Sequence, residues 1–243
     1  MDKISKVYEF AKVVNMKKVL LYSGGMDSWL ISELWKPDVK LFVDIGTNSS
    51  NAEMLRLPKD VVVARLRDLG LWELPQNFIL PMRNIYLLTL ASNYGEHIML
   101  GATSTDECHD KTDIFALHME NLLNYAWQKQ KWTNGKKIKV DFSYRKYSKG
   151  QLLKMYVDSG YPWQKAYKDT FSCYTPVNNS ECHNCRPCFL KLMAFIENNY
   201  IPNKDVLRTY VPYIKQKLSE YRYVWGDRLY SKEDYIHVLK LAN

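Results

Sequence analysis

The chain has 243 residues, 47% hydrophobic and 25% charged, enough for one sizeable α/β domain with a small appendage. No apolar run approaches the roughly 18 residues of a membrane span. Lys3, Lys6, Glu9 and Lys12 break the start where a signal peptide needs an apolar stretch, so the expectation is a cytoplasmic protein without membrane attachment. The formal charge of +8 favours acidic partners, either nucleic acid or a small substrate with phosphates. The lysines are spread along the chain, as at Lys17-Lys18 and Lys136-Lys137, and a solvated basic surface explains them equally well.

In chain order, residues 19–22 read as a short apolar strand entering a glycine turn, followed by a helix over 27–35. Residues 40–45 and the β-branched run 61–66 read as further strands. A helix over 84–94 carries Ile85, Leu88 and Ala91 on one face; a strand over 97–101 and a helix over 114–127 follow. Residues 138–142 offer another strand, and Ser148-Lys149-Gly150-Gln151 has capping-box spacing for the next helix. One more helix runs from about Cys185 through Ile196. Residues 204–243 are helical, with a stripe of Leu207, Tyr210, Val211, Ile214, Leu218 and Tyr221 packed on the body.

Strands alternating with helices imply an α/β fold with a doubly wound, mostly parallel, Rossmann-like sheet. The expected division is a nucleotide-binding core over 17–145 and a helical region over 146–243. Ligands in such sheets bind at the carboxyl ends of the strands, so the loops over 23–28, 46–51, 67–83 and 102–113 are the ones that matter.

The first of these loops is Ser23-Gly24-Gly25-Met26-Asp27-Ser28. Both glycines can adopt positive φ and let an anion approach the backbone, with the helix N-terminus and two hydroxyls as donors. Asp27 is unusual beside a phosphate unless Mg²⁺ or an ordered network neutralises it. The plain reading is a glycine turn with Asp27 or Ser28 as N-cap. No Walker pattern G-x-x-x-x-G-K-[ST] occurs.

Five cysteines are present, and Cys173, Cys182, Cys185 and Cys188 fall in one short stretch, leaving Cys108 apart. That clustering points to a metal. Four thiolates fill a tetrahedral zinc site with no open position, which is a structural arrangement; an iron–sulfur cluster competes for the same ligands.

The phosphate loop resembles that of the PP-loop ATP pyrophosphatases, which hold the β,γ-pyrophosphate and leave AMP on the substrate. Together with Pro81-Met82-Arg83-Asn84, and Ser172-Cys173-Tyr174 leading into three closely spaced cysteines, it resembles the 7-cyano-7-deazaguanine synthase (QueC) family over residues 17 to 195. The resemblance implies a ligase that adenylates 7-carboxy-7-deazaguanine, admits ammonia to give the amide, and dehydrates the amide to the nitrile in a second activation. It implies ATP with Mg²⁺ at Ser23, Gly24, Gly25, Met26, Asp27 and Ser28, and Zn²⁺ on the four cysteines. Asp27, Arg83 and Lys149 would be catalytic, with Arg83, Asn84, Asp110, Thr170 and Ser172 on the substrate side. The plain readings are a surface helix start for Arg83, an N-cap for Asn84 and a solvated first-turn lysine for Lys149. The implied partners are a small deazaguanine and ammonia; a homodimer is allowed, and direct nucleic-acid binding is not required.

Two loops depart from the family pattern. Asp44-Ile45-Gly46-Thr47-Asn48 stands where Tyr-Gly-Gln and a basic residue are usual. Around Asp110 and Phe115 the family's arginine is replaced by Thr112, and Lys111 beside it lacks the planar fork. These changes mark a divergent branch, such as a phage or defence-system relative, and leave open an enzyme that stops at the amide. A tRNA-thiolation enzyme needs a free thiol pair, which a metal on the four cysteines would consume. A non-enzymatic zinc module for nucleic acid has the intact phosphate loop against it.

Overall fold

A computed structural model describes residues 16–76, 79–106, 108–178, 180–220 and 230–243. The lysines and glutamate of the first twelve positions and Tyr221 of the C-terminal stripe lie outside them, as do two positions within the 67–83 loop and one within the 102–113 loop. Five strands, β1 (Lys18–Leu21), β2 (Val39–Asp44), β3 (Val61–Arg65), β4 (His97–Leu100) and β5 (Lys139–Asp141), form one sheet in the order β3-β2-β1-β4-β5. Every pairing is parallel. All five coincide with the expected strands to within a residue or two at their ends.

Helices α1 (Met26–Trp35), α2 (Asn48–Met54), α3 (Arg83–Ala91) and α4 (Asp113–Ala126) connect the strands. After β5 come α5 (Lys149–Asp158), α6 (Trp163–Asp169), α7 (Arg186–Ile196), α8 (Lys204–Thr209), α9 (Val211–Glu220) and α10 (Lys232–Ala242). Strand side chains alternate between two cores, as the period of two requires. Val19, Leu21, Ile98 and Leu100 pack with Leu88 and Ala91 of α3 and Met119 and Leu123 of α4. Leu20, Tyr22 and Met99 pack on the other face with Trp29 and Leu30 of α1, Leu152, Leu153 and Tyr156 of α5, and Phe195 of α7. Both faces are covered at the central strands β1 and β4, which read as apolar runs, whereas the edge strand β3 leaves Val62 and Val63 exposed.

Helix α7 is buried from Cys188 to Ile196 apart from Leu190. Its far side joins a third core with Leu207, Tyr210, Ile214, Tyr235 and Val238. The expected stripe thus packs inward, but over separate helices, and Pro212 in the first turn of α9 suits that break. Two short helices lay outside the sequence expectation. The polar α2 has no apolar period, and only Thr47, whose hydroxyl accepts from the Ser50 N–H, marks its start. The helix α6 is a seven-residue piece between Pro162 and Thr170.

At the outer strands, His97 Nε2 lies 2.7 Å from Asp141 Oδ2. Burial works to raise the Asp141 pKa, but the hydrogen bonds from His97 and Ser143 outweigh it and hold the carboxyl well below its ordinary 3.8. A carboxylate with a depressed folded-state pKa adds stability above its unfolded value and loses it as pH falls through the folded one. Asp141→Asn should therefore destabilise the protein at pH 7, with the deficit against wild type shrinking as pH drops below about 4. Denaturation curves at pH 7 and pH 3 check this, and a deficit that is constant with pH contradicts it.

Candidate active site and metal centre

The strand order reverses around β1, whose neighbours β2 and β4 run to opposite edges, so a crevice opens beyond the carboxyl ends of β1 and β4. The loop from Ser23 to Ser28 leaves β1 there. Gly24 has φ +77°, a conformation that favours glycine. Gly25, expected to share it, sits at φ −66° and ψ 160° and occupies the N-cap position of α1. Its lack of a side chain leaves room instead: a Cβ would lie a tight 3.2 Å from Ser23 Oγ and an ordinary 3.7 Å from the Phe171 carbonyl oxygen.

The two serines tie the loop together. Ser28 Oγ accepts from the Ser23 N–H at 3.2 Å and donates to the Gly25 carbonyl at 3.1 Å, while Ser23 Oγ accepts from the Gly25 N–H at 3.3 Å. Neither Asp27 nor Ser28 serves as an N-cap, because α1 has no side-chain cap. By contrast, α5 has a full capping box from Ser148 and Gln151, as the spacing predicted. The first turn of α1 thus presents N–H groups to the crevice, which is the chemistry of an anion site.

Asp27 is neutralised from far along the chain. Its Oδ2 forms a close ion pair with the Lys149 ammonium, 122 residues away, and the two side chains are 21% and 19% exposed. The Asp27 Oδ1 is buried and has no hydrogen-bond partner among the described residues. Lys149 opens α5, so the capping box aims its side chain at the loop. The solvated-lysine reading does not hold.

A strap from Thr170 to Cys173 joins this loop to the cysteines. The Phe171 N–H donates to the Gly24 carbonyl at 3.2 Å, and the Arg56 guanidinium covers the Phe171 ring at 3.7 Å. Thr170 is buried with its hydroxyl returned to the Ala166 carbonyl, and the Ser172 N–H donates to Glu181 Oε1 at 2.6 Å. Underneath lies Lys191, whose ammonium donates to the Thr170 carbonyl at 2.6 Å and to Glu181 Oε2 at 2.9 Å. The pair is 2% and 10% exposed. Removing one member of such a buried pair strands the other, at a cost of about 3–5 kcal/mol. Lys191→Met is expected to lose that much in chemical denaturation; a loss under about 1 kcal/mol, as for an exposed pair, would contradict it. A lone lysine inside an otherwise apolar helix was the available sequence signal.

The sulfur atoms of Cys173, Cys182, Cys185 and Cys188 all lie within 4.8 Å of one another. Cys185–Cys188 and Cys173–Cys185 separations are 3.4 and 4.0 Å. Four sulfurs bonded at ~2.3 Å to one tetrahedral ion stand about 3.8 Å apart, so the cluster fits a single metal ion such as zinc. Cys185 is the N-cap of α7 and Cys188 stands in its first turn. The Cys182 N–H donates to Cys173 sulfur and the Asn184 N–H to Cys182 sulfur, both at 3.3 Å, contacts that favour the thiolate form. The hydrogen bond with Cys188 brings the Cys185 thiol down to about 5, burial pushes Cys173 up to about 11, and the Cys185 hydrogen bond and burial push Cys188 up. Burial and mutual proximity oppose joint ionisation of Cys173, Cys185 and Cys188, and a bound cation would favour it.

Across the crevice, the loop after β4 is built around Asp106, which accepts from the Thr103 N–H at 2.8 Å and pairs with Lys111 at 2.6 Å. Thr112 caps α4 through the Phe115 N–H. Asn84 is buried and donates to the Asp110 carbonyl at 3.3 Å; the N-cap position of α3 belongs to Met82, at φ +59°. Arg83 is exposed at the start of α3, and its charge opposes the burial that pushes the half-buried Glu53 carboxyl up to about 7. The crevice therefore gathers Ser23, Gly24, Gly25, Asp27, Ser28 and Lys149, with Ser172 on the strap. Asn84 and Thr170 serve as buried ties behind it.

Fold and loop together define a doubly wound α/β protein with a glycine loop opening α1 at its switch point and a four-thiol centre strapped to that loop. Residues 36–199, more than half of the chain, match the family model described as "Queuosine biosynthesis protein QueC". The chain belongs to the QueC family. The matched stretch contains Lys149, the strap and all four cysteines, and begins after the phosphate loop. Among individual proteins, it is 30% identical over 139 residues to the 7-cyano-7-deazaguanine synthase of Rickettsia felis, covering 52% of this chain and 58% of that protein. It is 28% identical over 127 residues to that of Rickettsia prowazekii, covering 49% and 53% respectively. The chain thus spans a little over half the length of the relatives it matches. No helix among the described residues is long and apolar enough to cross a membrane.

Proposed function

We propose that the protein is an ATP-dependent carbon–nitrogen ligase that converts 7-carboxy-7-deazaguanine and ammonia to 7-cyano-7-deazaguanine. The observation that carries this reading is the uncapped first turn of α1 behind Ser23 to Ser28, with Lys149 placed against Asp27 at the crevice. The relatives named 7-cyano-7-deazaguanine synthase support a deazaguanine as the substrate class.

In this reading the substrate carboxylate attacks the α-phosphorus of ATP, the α–β bond breaks, and pyrophosphate leaves into the loop. The N–H groups of the α1 first turn take up its charge, on a loop that the two serines already hold in shape before the reaction. Ammonia then attacks the acyl carbon and AMP departs, giving the amide. In a second round the amide oxygen attacks another ATP, and loss of AMP with the amide protons leaves the nitrile. Lys149 keeps Asp27 compatible with phosphate and presents a cation toward the reacting carboxylate. Asp27 Oδ1, buried and without a hydrogen-bond partner among the described residues, is the oxygen suited to the Mg²⁺ that accompanies ATP, where the ion would offset phosphate charge. The four cysteines would hold zinc as a closed structural site.

One observation favours a second reading in which the reaction ends at the amide. Thr112 is committed to capping α4 and Lys111 to Asp106, so neither replaces the family's arginine on the substrate side. The amide is a poorer nucleophile than the carboxylate and depends more on positioning. The nitrile remains the predicted product, formed through an amide that accumulates before it is consumed. A time course followed by mass spectrometry, with 7-carboxy-7-deazaguanine, ATP, Mg²⁺ and ammonium, checks this; nitrile appearing with no lingering amide would remove the second reading. The same incubation tests the function itself, since inactivity on every 7-deazaguanine would overturn it.

A further inference from the structure

Next to the phosphate loop the crevice opens into a cavity of about 240 Å³, lined by Ser104, Thr105, Ser148, Lys149, Glu197 and Tyr230 among others. It lies between the loop after β4, the N-terminus of α5 and the end of α7. Lys149 belongs to both this cavity and the phosphate loop, so whatever fills the cavity abuts the site of phosphate chemistry.

Glu197 stands out among these residues. It follows the last turn of α7, and its carboxylate is pressed against the backbone of Gly150, where any Cβ would collide with Glu197 Oε2. Glycine inside a helix is unfavourable, and here its absent side chain is what lets the carboxylate reach the cavity wall. The Tyr230 hydroxyl donates to the same carboxylate. Glu197 therefore lines the cavity beside Gly150, while the Lys149 ammonium is held by Asp27. Leu190 supplies an apolar part of the lining.

A guanine-type ring presents two adjacent donors, the ring N1–H and the exocyclic 2-amino N–H, and a carboxylate is the side chain with two parallel acceptor oxygens to match them. The 7-substituent lies on the far side of that ring. We propose that this cavity is the base pocket and that Glu197 reads the N1–H and 2-amino edge of the deazaguanine, leaving the 7-carboxylate directed at Lys149. The assignment rests on the deazaguanine reading above and makes Glu197 the specificity-determining residue.

The test compares 7-carboxy-7-deazaguanine with its analogue lacking the 2-amino group, by substrate-dependent pyrophosphate release and by calorimetric binding without ATP. A site built to accept a hydrogen bond rejects an analogue that lacks the donor, so the wild type should prefer the amino compound by ~10²-fold or more in kcat/KM. In Glu197→Gln one acceptor becomes a donor facing the 2-amino group. The amino compound should then lose ~10²-fold in kcat/KM and bind more weakly, the des-amino analogue should change little, and the preference should collapse. Gly150→Ala, which favours the helix while displacing the carboxylate, should reduce the preference in the same direction. An unchanged preference in Glu197→Gln, or an equal loss for both compounds, overturns the assignment while leaving the proposed function standing. A wild-type protein that neither binds nor adenylates any 7-deazaguanine overturns the function as well, and is seen before any variant is made.

Discussion

Gly25→Val is expected to cut ATP-dependent pyrophosphate release by ~10²-fold or more while leaving the protein folded, the size of loss that follows removal of preorganised charge stabilisation. The backbone at Gly25 is extended, at φ −66° and ψ 160°, so valine adopts it without strain. A Cβ there is already tight, 3.2 Å from Ser23 Oγ, and the added methyl groups extend into the space in front of the α1 first turn. They block close approach of phosphate to the N–H groups while the hydrophobic cores stay intact. Measuring pyrophosphate release beside a thermal melt separates the two effects. Near-normal release by a folded Gly25→Val protein would remove the phosphate-loop assignment.

The other large effect concerns the metal. The purified protein is expected to carry about one Zn²⁺ per chain, and Cys185→Ser to lower zinc affinity by more than the ~100-fold typical of losing an outer-sphere partner. Zinc binding at a closed thiolate site contributes folding free energy, so the variant should melt lower and lose solubility before its chemistry is impaired. Activity falls next, because the strap from Thr170 to Cys173 ends at the cluster and holds Gly24 through the Phe171 N–H. Elemental analysis decides: iron with visible absorbance, or a stable protein with no metal, would contradict the zinc assignment.

What the sequence disclosed and what it withheld follow from the range of the interactions. The strands were readable because each is a short apolar run closed by turn residues, and α5 because Ser148 and Gln151 stand at capping-box spacing. The cysteine cluster was readable because its members are close in sequence. The pairing of Asp27 with Lys149 spans 122 residues, and nothing local to either residue announces it. The Lys191–Glu181 pair is hidden in the same way, since a lysine in an apolar helix signals burial without naming its partner. The positions read as substrate-side also divided for a physical reason. Asn84 and Thr170 are buried and each donates to a backbone carbonyl, of Asp110 and Ala166 respectively, ties that residue type alone does not announce. Glu197 and Gly150 escaped notice because their meaning lies in one backbone approach between two helices.

The most direct test of the account is AMP and pyrophosphate formation by the wild-type protein with ATP and Mg²⁺, measured with and without 7-carboxy-7-deazaguanine and with ammonium present. Both products should form only when the deazaguanine is present, together with a new amide or nitrile product by mass spectrometry. Release of ADP and phosphate, or AMP formation indifferent to every 7-deazaguanine supplied, would contradict it.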